Sequence, residues 1–283
     1  MQIFTWQEIE NALDNDMNHP FFKNGCGISI GSFDGLHKGH RVLLNTLVKK
    51  SKEMKILSGV VSFSRPLPSL KHSQDYQGDL TTLNQRLELF EKIGLDFAII
   101  VDFTEKFSSL RGIDFLQMLI DGCNMQYIAE GIDFRCGYKG ATDASSIKYF
   151  AENNKIKYDF VDSVFYSTEG EDYRISSSFI RTMVKNGFFS IVEDLLERKF
   201  SLEVLLDKND NILAEHMPLN KKDAFDIKIP SKDFFQVLPP QKIYHCNSVE
   251  GELRVEIISD GVLIKFLDKK FENILQNKIY VEF

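Results

Sequence analysis

Residues Gly27–His40 read GISIGSFDGLHKGH: a short apolar run, a turn of small and acidic residues, then a pair of histidines where a helical pattern opens. The pattern continues through Arg41, Val42 and Leu44, so the stretch describes a strand, a tight turn and a helix start. Glycines such as Gly31, Gly35 and Gly39 let backbone come close to a ligand. The unpaired amides of a helix N-terminus attract an anion. His37 and His40 are three residues apart and share one helical face if the helix begins near His37. With Ser32, Phe33 and Asp34 completing the turn, the segment is the form expected of a nucleotide-phosphate site. A plain strand-to-helix turn is the duller reading. Zinc is a third, disfavoured because only Asp34 stands near as a further ligand.

Outward from this stretch, strands and helices alternate. Candidate strands are Gly27–Ile30, Ile56–Phe63, Phe97–Val101, Met125–Ala129 and Tyr158–Phe165. Between them, Arg41–Lys52, Thr82–Ile93, Ile113–Ile120 and Ala144–Asn153 repeat apolar residues at three and four positions; Leu83, Leu87, Phe90 and Ile93 make one such stripe. The alternation implies a mostly parallel sheet covered on both faces, with ligands at the carboxyl ends of its strands. Two further helices are expected, one opening at Ser176–Ser178 and one over Phe188–Glu197.

After Phe200 the period changes to two. SLEVLLDKND, ILAEHM, FDIKIP, LRVEIISDG and VLIKFLDKK carry Asn-Asp and Asp-Gly turn signals and read as antiparallel hairpins. No glycine- or proline-rich linker and no internal repeat marks the change.

The whole chain narrows the classes further. At 283 residues, two domains are expected. A net charge of −7 argues against a surface that neutralises many phosphates, so nucleic acid is not an expected partner, although one pocket can still be locally positive. The N-terminus lacks a basic and apolar leader pattern, and no apolar run reaches the ~18 residues of a membrane span. Cys26, Cys123, Cys136 and Cys246 are scattered and form no metal-type pair. A reduced, cytoplasmic protein without a structural metal is expected.

A second chemistry-bearing segment is Arg174–Arg181, RISSSFIR. Three successive hydroxyls at a helix start offer donors, and Arg181 can fork onto phosphate oxygens. A single serine here would be only a helix cap; the triplet with Arg181 exceeds that need.

The HxGH helix start together with the ISSxxxR segment resembles the nucleotidylyltransferase superfamily. Within it the chain is most similar to the prokaryotic FAD synthetases, the bifunctional riboflavin kinase/FMN adenylyltransferase family. IGSFDGLHKGH resembles that family's first motif, and VSFSRPLP (Val61–Pro68) its second strand end. FTEKFSSLRGIDFL (Phe103–Leu116) and EGIDFRCGYKG (Glu130–Gly140) resemble two further segments, the latter with Cys136 where the family has phenylalanine. RISSSFIR resembles the last, with Ser178 in a place where threonine is frequent.

The resemblance implies a Rossmann-like α/β nucleotidylyltransferase domain over residues 1–200, with a smaller antiparallel, β-barrel-like domain at 201–283. It implies transfer of AMP from ATP to FMN, giving FAD and pyrophosphate. His37 and His40 would contact the triphosphate, His40 at the α-phosphate; Ser177, Ser178 and Arg181 would hold the β- and γ-phosphates. Gly31, Ser32, Phe33, Asp34, Gly35 and Gly39 belong to the ATP site, and Asp133 matches an adenosine- or ribose-contacting position or else caps a turn. Phe63, Phe103 and Phe107 are candidates for a flavin pocket or for core. Mg2+ would arrive with ATP, held mainly by phosphates and water.

The family's kinase domain opens with a glycine-rich segment and a Pro-Thr-Ala-Asn stretch. Residues 200–230 of this chain contain neither, although VLPPQKIY (Val237–Tyr244) resembles the segment after the kinase motif. Riboflavin phosphorylation is therefore expected to be absent or very weak. Nucleotidyl transfer to another small phosphate ester, and flavin or nucleotide binding without catalysis, are the competing readings.

Overall fold

The amide and carbonyl ladders of the first sheet are all parallel. The computed structural model describes residues 1–14, 19–66, 76–168, 170–205, 226–249, 251–267 and 278–283. In chain order the first elements are β1 (Gln2–Thr5), α1 (Trp6–Asp14), β2 (Cys26–Ile30), α2 (Lys38–Met54), β3 (Leu57–Phe63), α3 (Leu83–Ile93), β4 (Phe97–Val101), α4 (Glu105–Ser108), α5 (Gly112–Cys123) and β5 (Met125–Gly131). Next come β6 (Arg135–Cys136), β7 (Thr142–Asp143), α6 (Ala144–Asn153), β8 (Lys157–Val161), β9 (Phe165–Thr168) and β10 (Glu171–Arg174). The sheet order is β1-β4-β3-β2-β5-β8.

Its strands are apolar nearly throughout because both faces are covered. Phe97, Ile99 and Val101 enter one core with Ile28, Val61 and Met125. Ala98 points the other way, into a second core with Val60, Leu44, Leu47 and Tyr127. Successive strand residues thus serve opposite faces.

The remaining elements are α7 (Ser177–Asn186), α8 (Phe189–Leu196), β11 (Ser201–Leu205), β12 (Asp226–Pro230), β13 (Ile243–Ser248), β14 (Gly251–Ile258), β15 (Gly261–Phe266) and β16 (Lys278–Glu282). The last six strands form an antiparallel half-barrel in the order β11-β16-β13-β14-β15-β12. Every second residue is buried: Leu253, Val255 and Ile257 on β14, Val262, Ile264 and Phe266 on β15.

By contacts the chain divides into two units, residues 1–74 with 86–175, and 75–85 with 176–283. The short piece 75–85 joins the second unit through backbone. The Asp79 amide donates to the Phe235 carbonyl at 2.7 Å, and the Val237 amide donates to the Asp79 carbonyl at 2.8 Å. Gln236 adds side-chain bonds there, accepting from the Glu203 amide at 2.8 Å and donating to the Leu80 carbonyl at 3.2 Å.

The fold class expected from the sequence is the one found. Several details differ. The single strand expected over Tyr158–Phe165 is two, β8 and the first arm of the β9–β10 hairpin, because the chain leaves the sheet after Val161. β1, α1, β13 and β16 are elements that the sequence pattern does not announce. The expected strand ILAEHM, the ends of SLEVLLDKND and VLIKFLDKK, and Leu67 and Pro68 of the second motif lie outside the described residues.

Candidate functional site

The order of the first sheet defines the site. β2, β3 and β4 step in one direction and β5 and β8 in the other, so the chain reverses between β2 and β5. Beyond the carboxyl ends of two such strands lies a crevice that neighbouring loops do not cover. The turn after β2, residues 31–37, occupies that position.

This turn is strained. Phe33 has φ 47° and Leu36 φ 42°, unfavourable for residues with a Cβ, and Gly35 has φ 78°, which only glycine adopts at little cost. The Phe33 ring is nevertheless buried, edge-on to His40 at 5.4 Å and to Phe90 at 5.7 Å. Only its backbone is therefore available to a ligand. Asp34 and Gly35 are buried as well, whereas Gly31 and Ser32 are half-buried.

α2 begins at Lys38, one residue later than His37, which is its N-cap: its Nδ1 accepts the His40 amide at 3.4 Å. The two imidazoles stack with centroids 3.7 Å apart and planes 17° from parallel. A Cβ at Gly39 would come within 3.3 Å of the His37 ring, so the absence of a side chain keeps the pair close-packed. Burial first, and then the adjacent His37, hold His40 well below the ordinary imidazole range, so it is neutral at neutral pH. Its Nδ1 is buried without a hydrogen-bond partner, an arrangement that costs about 1–3 kcal/mol and marks a functional position.

Beside the turn lies a cavity of about 130 Å³ within the first unit. Gly31 and Ile30 form part of its wall, and Phe63, Phe103 and Phe107 converge on it, packed edge-to-face at 5.9–6.2 Å from one another. Leu110, Phe115, Phe134 and Cys136 add to the apolar lining. The thiol of Cys136 is pushed up to about 12 by burial and by the nearby Glu130. Sequence reasoning misses Phe134, although it stands in the same segment as Asp133.

The other candidates are placed as follows. Asp133 is half-exposed and ion-paired with Arg174. Ser176, rather than Ser177 or Ser178, caps α7 by accepting the Phe179 amide at 3.2 Å, so the latter two hydroxyls are not the cap. Ser178 is exposed. Arg181, buried in the second unit, donates from Nε to the Gly78 carbonyl at 2.7 Å and lies over the Tyr76 ring. No group of His, Cys, Asp and Glu able to hold a metal ion by itself occurs among the described residues.

Residues 20–179 match the family model described as FAD synthetase. The chain belongs to the FAD synthetase family. The bifunctional riboflavin kinase/FMN adenylyltransferase of Buchnera aphidicola is 32% identical over 181 residues, 63% of this chain and 57% of the relative, so the match spans little more than half of that protein. The FAD synthetase of Listeria monocytogenes is 25% identical over 183 residues, 65% of this chain and 73% of the relative. The bifunctional enzyme of Bacillus subtilis is 26% identical over 253 residues, 87% of this chain and 74% of the relative. A crystal structure titled macrolide-efflux protein, from Streptococcus pneumoniae, superimposes with a TM-score of 0.69 over 91% of this chain and 92% of its own, at 18% identity. That likeness is one of fold.

Proposed function

We propose that this FAD synthetase-family chain is an FMN adenylyltransferase. The observation that carries the reading is the histidine pair at the start of α2, set above a strained glycine turn and within the same unit as a cavity walled by Phe63, Phe103 and Phe107. A phosphate-binding turn and an apolar slot for a flat ring are what the two substrates require.

A phosphate oxygen of FMN attacks the α-phosphorus of ATP, a new P–O–P bond forms, and the bond to the β-phosphate breaks with release of pyrophosphate. FMN arrives already anionic, so no covalent protein intermediate is needed. The protein's work is to align the two phosphates and to stabilise charge on the α-phosphate and the departing pyrophosphate. Turn amides and the first amides of α2 supply fixed donors. His40 supplies a neutral ring whose protonation an adjacent anion favours, so negative charge building on the α-phosphate draws a proton toward it. His37 orients His40 by stacking on its ring and by accepting a hydrogen bond from its backbone amide. Ser177, Ser178 and Arg181 hold the β- and γ-phosphates, and Asp133 contacts the ribose or adenine once its pairing with Arg174 yields. Mg2+ accompanies ATP as part of the substrate.

Residues 1–200 form the adenylyltransferase domain in this reading, and 201–283 a kinase-like domain without kinase activity. The support for the second part is the lack of any glycine from Phe200 to Pro230, since backbone must approach phosphate closely in a kinase site. No described helix is long and apolar enough to cross a membrane, and all four cysteines are free. We place the reaction in the cytoplasm, with ATP and FMN as partners and no nucleic acid. Purified protein incubated with MgATP and FMN tests the reading: FAD formation supports it, and its absence at all substrate concentrations refutes it.

A further inference from the structure

Two buried ionisable side chains that no step above uses meet the two flanks of the strained turn. On one flank, β2 and β5 are paired as far as Ile28 and Ile128. Further along, the Ile30 amide turns to the side chain of Glu130, donating to Oε1 at 2.6 Å. Glu130 is 1% exposed and sits near the carboxyl end of β5, at the point where the strand order reverses. An aliphatic residue there would leave the Ile30 amide buried without an acceptor.

On the other flank is Arg86, fully buried on α3. Its Nη1 donates to the Ser32 carbonyl at 3.0 Å, to the Phe63 carbonyl at 2.8 Å and to Ser62 Oγ at 3.2 Å; Nη2 donates to the Ser64 carbonyl at 2.8 Å. One guanidinium thus joins the turn after β2 to the end of β3. A peptide unit is planar and trans, so its carbonyl and the next residue's amide point in opposite directions. Drawing the Ser32 carbonyl inward onto Arg86 therefore aims the Phe33 amide away from the core. Phe33 is also the residue whose φ is 47°. Backbone held in so sparsely populated a region persists only when its surroundings fix it.

We infer that Glu130 and Arg86 are positioning residues that clamp the Ile30–Phe33 backbone from both sides and keep the turn's amides facing bound phosphate. Burial favours the uncharged carboxyl at Glu130, which makes glutamine its faithful substitute. The inference rests on reading this turn as the nucleotide site.

The test uses the full chain with Glu130→Gln, Glu130→Ala and Arg86→Lys, measuring thermal midpoint, MgATP affinity by calorimetry, and kcat with KM for ATP and FMN. Glu130→Gln should stay within about twofold of the parent throughout, whereas Glu130→Ala and Arg86→Lys should raise both KM and Kd for ATP about tenfold and the KM for FMN by clearly less. Folded Glu130→Ala and Arg86→Lys proteins with parental ATP affinity would overturn the clamp, as would equal losses toward ATP and FMN or a Glu130→Gln variant as impaired as Glu130→Ala. Should Arg86→Lys not fold, the alanine and glutamine pair at Glu130 decides. A parent that makes no FAD yet loses ATP affinity in Glu130→Ala removes the proposed activity and keeps the clamp; the converse result removes the clamp and keeps the activity.

Discussion

Two of the sheets among the described residues are six strands wide, and they are built on opposite principles. The parallel sheet ends in a turn with Phe33, Gly35 and Leu36 at positive φ, a stacked histidine pair and two buried ionisable clamps. The antiparallel sheet repeats an ordinary alternation, with apolar residues inward on β14 and β15. Backbone strain and orphaned polar atoms are costs that a protein retains where it needs function. The strained turn and the unpartnered His40 nitrogen at the end of β2 are what the proposed reading uses to put the adenylyl-transfer step there, while the antiparallel sheet shows only regular packing.

The sharpest way to break this contrast is to remove the histidines. His40→Ala and His37→Ala should each lower kcat/KM for FAD formation by about 10²–10³-fold, the scale of losing a preorganised charge-stabilising group, as read by product chromatography. A loss under threefold in both would move the chemistry elsewhere. Next in size is Phe107→Ala, which opens the cavity wall and should raise the KM for FMN about tenfold with the KM for ATP nearly unchanged. Equal effects on both substrates would mean that the cavity does not hold the flavin.

In the second sheet the outcome should be of a different kind. Leu253 is completely buried, and Leu253→Ala should cost about 2–5 kcal/mol of stability by denaturant unfolding, with activity per folded molecule unaltered. A fall in kcat of the folded variant would show that the second sheet does more than support.

The smallest effect is a pH dependence. The folded-state pKa of His40 lies below its unfolded value of about 6.5, so the unfolded chain takes up a proton first as pH falls. Stability from the neutral ring is complete above that unfolded value and drains away as pH drops toward the folded one. Unfolding midpoints between pH 7.5 and 5 should therefore fall more steeply for the parent than for His40→Asn. Parallel slopes would mean that the ring titrates normally.

Much of the site is legible in the residues. The strand, turn and HxGH start of Gly27–His40 place β2 and α2 to within three residues, because apolar runs and caps are local signals. The three phenylalanines can be named as candidates, but their convergence on one cavity depends on pairing among β2, β3 and β4 that no local pattern reveals. Phe33 reads as a ligand contact until its buried ring shows that only backbone is offered. β1 escapes notice because four residues, QIFT, are too few for a period to emerge, and their partner strand is the distant β4. Two signals are present but easily overlooked: a carboxylate inside the apolar run MQYIAEG, and Arg86 on the buried face of a helix. A charged residue at a position that periodicity assigns to the core is the trace of a local rule broken for function.

The most direct measurement is to incubate the purified chain with MgATP and, separately, FMN or riboflavin, and to identify the flavins formed. FAD from FMN, and no FMN from riboflavin, is the expected result. Riboflavin converted to FMN, or FMN recovered unchanged with enzyme that is folded and binds ATP, would contradict the assignment.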